Sequence, residues 1–164
     1  MAIALAELID PEQITLDLRA RTQTEALREI VDLLVAAGKI DNGAGGSRAT
    51  KTGKPARVDE PGGKSINAER FLNKLQQREK TNSTYAADGV AFPHARTKLV
   101  EEIVLGIGRS EAGIPWTGKG EIANLIFLIA VPERLISDYL VVVGAIARAT
   151  KDRPLRTLLL HAET

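Results

Sequence analysis

The sequence predicts an α/β sandwich, a mixed central β-sheet flanked by helices. Three observations carry that expectation. An amphipathic helix with clear start and stop signals stands near the beginning. A continuous apolar run, Leu125 to Val131, has the look of a strand buried on both faces. Strand-like and helix-like segments then mix in the order strand, helix, loop, helix, several strands, helix, helix, which suits layers of helix around one sheet.

Ile14 to Leu18 reads Ile-Thr-Leu-Asp-Leu, and its period of two predicts a short half-buried strand. Thr22 followed by Glu25 is a capping-box pattern. Leu27, Ile30, Val31 and Leu34 then recur at helical spacing and Gly38 supplies a stop, which predicts a helix over 23–37. Residues 41–66 differ in texture. Val58 and Ile66 are their only large apolar side chains, so the segment reads as a mobile surface loop inserted in the domain. Gly63-Lys64-Ser65 invites comparison with a phosphate-binding loop, but Val58 stands where that motif needs its first glycine, and no strand precedes it.

Asn67 is a candidate cap for a second helix over 68–79, with Phe71, Leu72 and Leu75 on one face. Gly89 to Phe92 reads as a short strand that ends at Pro93, because proline lacks an N–H and fixes its own φ. A further strand is expected over 103–107. Gly113-Ile114-Pro115-Trp116 and Gly118-Lys119-Gly120 carry turn chemistry. The strand over 124–131 should end at Pro132. Helices over 133–149 and, capped by Asp152, over 153–162 complete the chain.

The 164 residues suit one domain, 1–164, able to bury a core without staples. The absence of cysteine removes disulfides, thiolate metal sites and cysteine nucleophiles. A net charge of +1 argues against nucleic acid as a partner. No apolar stretch approaches the roughly 20 residues of a membrane span, and the first residues do not read as a signal peptide. The expectation is a soluble cytoplasmic protein without a metal ion.

The inventory of nucleophiles is small. His161, one of two histidines, falls in the last turn of the final helix, an ordinary place for the residue. His94 follows a proline at a strand end, among small residues, where a rigid sheet can present a site. Neutral imidazole is well populated near pH 7 and is a competent nucleophile. A phosphoryl group on that ring would need its charge offset. Arg96 and Arg78 are the candidate cations, and Ser83 and Thr84 the candidate hydroxyl donors. A histidine merely packed at a strand end fits the same local pattern.

Arg78-Glu79-Lys80, Ser83-Thr84 and Gly89-Val90-Ala91-Phe92-Pro93-His94 together resemble the active-site motif of enzyme IIA domains of the fructose–mannitol type. These domains serve the bacterial phosphoenolpyruvate:sugar phosphotransferase system and include a nitrogen-regulatory branch. Gly113 to Trp116 and Leu125 to Pro132 fit the later part of the pattern. The resemblance implies that His94 accepts a phosphoryl group from a histidine phosphocarrier protein, that Arg78 steadies it, and that no cofactor is needed. The group then passes to a cysteine on an enzyme IIB domain, or its presence selects a regulated kinase, transporter or transcription factor. With no cysteine-bearing or membrane segment attached, the regulatory use is the expectation favoured. A non-catalytic regulatory module on the same fold, and a degenerate domain that is never phosphorylated, are the alternatives. The chain departs from the pattern twice. Tyr139 stands where many members carry a second histidine, and could still donate a hydrogen bond to the His94 ring or its phosphate. The insertion at 41–66 is longer than expected.

Overall fold

The computed structural model describes residues 8–40, 66–81, 83–86, 89–117, 119–133 and 138–161. The inserted segment expected over 41–66 lies outside them except for Ile66, which already opens a helix.

The sheet contains β1 (Ile14–Thr15), β2 (Val90–Ala91), β3 (His94–Thr97), β4 (Val104–Pro115) and β5 (Ile122–Pro132). Its order is β1-β4-β5-β2, with β3 also on β5. β4 and β5 are antiparallel, whereas β1 joins β4 and both β2 and β3 join β5 in parallel. The helices are α1 (Gln23–Ala36), α2 (Ile66–Thr81), α3 (Asp138–Lys151) and α4 (Arg153–His161). The mixed sheet flanked by helices is the expected fold class.

β5 shows why the apolar run was needed. Ile126, Leu128 and Ala130 enter one core with Leu27, Ile30 and Leu34 of α1 and Phe71, Leu72 and Leu75 of α2. Their neighbours Leu125, Phe127, Ile129 and Val131 enter a second core with Val142 and Ile146 of α3. A strand alternates its side chains, so covering both faces makes every position apolar.

α1 starts as its sequence directs. Thr22 Oγ1 accepts from the Glu25 N–H at 3.2 Å. The Glu25 carboxylate reaches back to the N–H of Arg21, 2.9 Å away, one residue earlier than a standard capping box would take it. The Arg28 guanidinium pairs with Glu69 and so ties α1 to α2; that hydrogen bond holds its pKa above the usual range.

Several expected boundaries are corrected. β1 stops at Thr15 rather than Leu18, because the chain turns to bury Leu18 and gives the Arg19 and Ala20 N–H groups to the Glu29 carboxylate. Asn67 is not a cap, since the helix already includes Ile66. The strand expected over Gly89 to Phe92 is the shorter β2, which ends before Pro93 as expected, and pairing with β5 resumes at His94. β2 and β3 follow one register on β5, Ala91 opposite Ile126 and His94 opposite Ile129. Pro93 offers no N–H to the ladder, but its carbonyl accepts from Ile129 at 2.9 Å, so the interruption is local. β4 runs to Pro115 and absorbs Gly113-Ile114-Pro115, expected to be a turn. A register shift between Arg109 and Ile114 accommodates them, with Gly113 at φ 83°. A Cβ at Gly113 would meet Ile122 Cγ2 at 2.3 Å, so only glycine fits there. The turn itself follows, closed by the Trp116 N–H on the Glu121 carbonyl at 2.8 Å. The helix expected from 133 does not include Glu133, which is in a turn; residues 134–137 are outside the described ones, and α3 is helical from Asp138.

Candidate functional site

His94 opens β3, which among the described residues pairs with β5 alone and so forms a sheet edge beside the C-terminal end of α2. The ring is half-buried. Its Nδ1 lies 2.8 Å from the Phe92 carbonyl oxygen. Arg78, in the last turn of α2, brings Nε to 3.3 Å from His94 Nε2. These two contacts fix the neutral tautomer. A carbonyl oxygen only accepts, so Nδ1 carries the proton. A guanidinium only donates, so Nε2 presents its lone pair. The ring therefore offers an unprotonated nitrogen on the side where a cation already stands.

Arg96 is exposed two residues along β3, on the same side of the strand as His94. Its carbonyl accepts from Lys74 Nζ at 3.3 Å. Lys74, Arg78, Ala95, Arg96 and Glu133 line one open depression. Among the described residues, three cations and one carboxylate thus line this depression. Such a surface attracts a phosphoryl group and lowers the cost of bringing it close.

Ser83 and Thr84 are engaged within their own segment and with Glu79. Ser83 Oγ accepts from the Tyr85 N–H at 3.2 Å. The Thr84 hydroxyl donates to Glu79. Both hydroxyls therefore organise their own segment, which bridges back to the strand through Tyr85 opposite Ala91. Tyr139 is the second residue of α3, and its side chain lies outside the described residues. His161 ends α4 and is exposed, as its position in the sequence implied.

Sequence reasoning passed over Glu79. Its side chain is 6% exposed and gathers donors from three separate parts of the chain. Thr84 N–H, Trp116 Nε1–H and Gln23 Nε2–H reach Oε2 at 3.1, 3.1 and 3.4 Å, and the Thr84 hydroxyl reaches Oε1. A signal existed. Leu72, Leu75 and Glu79 recur at helical spacing, which sets Glu79 on the buried face of α2 while Arg78 turns outward. A buried carboxylate needs partners, so that position announced a cluster. Lys74 was also missed; its role depends on the fold bringing β3 under α2.

Comparisons with known proteins bear on the family and the fold. The family model described as "Phosphoenolpyruvate-dependent sugar phosphotransferase system, EIIA 2" matches residues 61–164. A fructose-specific EIIA component from Haloferax volcanii is 27% identical over 154 residues, 93% of this chain and 84% of that protein. A nitrogen regulatory protein from Bradyrhizobium diazoefficiens is 27% identical over 150 residues, 91% of this chain and 81% of that one. The fructose-specific EIIABC component of Bacillus subtilis is 26% identical over 161 residues, 98% of this chain, which spans only 21% of that longer protein. Among solved structures, nitrogen regulatory protein IIA-Ntr from Neisseria meningitidis superposes with a TM-score of 0.74 at 21% identity, covering 98% of this chain and 92% of that one. The Escherichia coli complex of mannitol IIA with phosphorylated IIB gives 0.67 at 20% identity, covering 95% and 90%. At these identities the structural matches establish the fold.

Proposed function

Because the chain belongs to the type-2 EIIA family of the phosphoenolpyruvate-dependent sugar phosphotransferase system, we propose that it is a phosphoryl carrier whose acceptor is His94 Nε2. The observation that supports this most directly is the pair of contacts on the ring, Phe92 carbonyl on Nδ1 and Arg78 on Nε2. The donor is a phosphohistidine on a phosphocarrier protein. The Nε2 lone pair attacks phosphorus in line with the donor's P–N bond. One P–N bond forms and the other breaks, and its electron pair returns to the donor ring. Nε2 has no proton to lose. As the His94 ring gains positive character, the Phe92 carbonyl stabilises the Nδ1–H. Arg78 moves its donors from the nitrogen to the phosphoryl oxygens, with Arg96 and Lys74 adding positive potential. Such transfer asks for positioning and charge stabilisation and needs no cofactor.

Two onward fates fit this surface. Transfer to a cysteine on an enzyme IIB domain is supported by the fructose-specific relatives, and by the mannitol IIA–phosphorylated IIB complex among the fold neighbours. A regulatory switch, read by a kinase, transporter or transcription factor, is supported by the nitrogen regulatory relative, most of whose length this chain spans.

One labelling experiment tests the proposal. Phosphoenolpyruvate with the upstream carriers should place one acid-labile phosphate on the protein, and His94→Ala should take none. Full labelling of His94→Ala would end it. Adding an enzyme IIB domain separates the two fates, because a sugar-transport member is unloaded and a regulatory member keeps its phosphate.

A further inference from the structure

Glu79 has no place in the transfer chemistry just described, yet it is the most heavily bonded buried side chain beside the site. Three hydrogen bonds in series connect it to the histidine ring. The Thr84 N–H donates to Glu79 Oε2 at 3.1 Å. The Phe92 N–H donates to the Thr84 carbonyl at 3.2 Å. The Phe92 carbonyl faces His94 Nδ1 at 2.8 Å. Thr84 and Phe92 are thus each held at both their N–H and their carbonyl. On its other side Glu79 is covalently next to Arg78, which contacts the opposite ring nitrogen at 3.3 Å.

We propose that Glu79 is a positioning residue that fixes the His94 tautomer, through Thr84 and Phe92, while it sets the α2 terminus that carries Arg78. The reading rests on His94 Nε2 being the acceptor. Its physics is geometric. The Phe92 carbonyl must face Nδ1 for the proton to stay there, and the chain at Phe92 is one residue from the proline that interrupts the ladder. Anchoring from the side therefore replaces what the ladder loses at residue 93. The carboxylate suits the task because it has two acceptor oxygens for four converging donors. Trp116 and Gln23 hold the carboxylate in turn, and Gln23 also donates to the Trp116 carbonyl at 3.2 Å. Outer partners of this kind set the tautomer and aim of functional imidazoles generally.

Glu79→Gln tests the idea, since a glutamine offers one acceptor oxygen and brings its own N–H groups against the donors. The first readout is the His94 ring nitrogen shifts by NMR, taken where the imidazole is neutral. The second is the initial rate of labelling from the phosphorylated carrier. The expected result is a fall in the Nδ1–H share and a loss of about tenfold in rate, with His94 still the labelled residue. Trp116→Phe removes one of the same donors but leaves the series intact, so it should lower thermal stability and keep the wild-type tautomer. Equal tautomer shifts in both variants would reduce Glu79 to a structural role and overturn the proposal, as would a wild-type tautomer and rate in folded Glu79→Gln. If Glu79→Gln does not fold, Thr84→Val loosens the same joint, and an unshifted tautomer there counts against the proposal. Failure of wild-type protein to accept phosphate would instead overturn the carrier function, with the tautomer still deciding the role of Glu79.

Discussion

At the level of single residues, the site is a histidine whose two nitrogens are held by partners of opposite kind. In the proposed transfer, Arg78 is the partner that touches the incoming group. It is exposed, so its removal should leave stability within about 0.5 kcal/mol. Arg78→Ala is expected to slow the initial rate of His94 labelling about a hundredfold, the usual effect of deleting a donor from an anion-stabilising site. Arg78→Lys should recover only part of that, because an ammonium cannot present the guanidinium's fork to two phosphoryl oxygens. A labelling time course with a thermal melt of each variant checks both statements. Arg78 and His94 could be named from the sequence, since motif and chemistry agreed on them. Glu79 was not named, because helical spacing places a residue on a buried face but does not say which donors meet it there. Those donors come from Gln23, Thr84 and Trp116, up to 56 positions away along the chain.

Secondary-structure elements that relied on local signals were legible, and those that relied on pairing were less so. α1 is set by Thr22, by its apolar stripe and by the stop at Gly38, and it runs over Gln23–Ala36 against an expected 23–37. β4 was expected over 103–107 but extends over Val104–Pro115. Its second half contains glycine and proline, which read locally as turn, and only antiparallel pairing with β5 makes it a strand. Parallel pairing with β5, in turn, lets β3 resume at His94 in the register of β2 after the break at Pro93. Where α1 crosses β4, close approach is enforced by Gly106. A Cβ there would meet Ile30 Cγ2 at 2.7 Å and Leu34 at 3.3 Å. Gly106→Ala should therefore cost about 1–3 kcal/mol through overpacking, read as a lower urea midpoint with an unchanged slope. Its effect on the labelling rate of the folded fraction should be small, since His94 lies on a different strand.

For the whole molecule, β5 joins the two cores, and that placement governs the site. One face of the sheet carries α1 and α2 and the other carries α3. β3 hangs from β5 as an edge, so His94 sits where the α2 terminus can reach around to meet it. A central sheet with helices on both sides followed from the apolar run of β5. The meeting of α2 with the β3 edge did not, because parallel pairing between distant segments leaves no local trace. Among the described residues no helix is long and apolar enough to cross a membrane. Among the described residues, one edge bears His94, Arg78, Arg96 and Lys74, and the proposed carrier function would use it to meet the partner that brings or removes a phosphoryl group.

The most direct test of this account is NMR on uniformly nitrogen-15-labelled protein after phosphorylation by phosphoenolpyruvate and the upstream carriers. The account predicts one phosphorus bonded to Nε2 of His94, with Nδ1 still protonated. Phosphorus on Nδ1, or on His161, would contradict it.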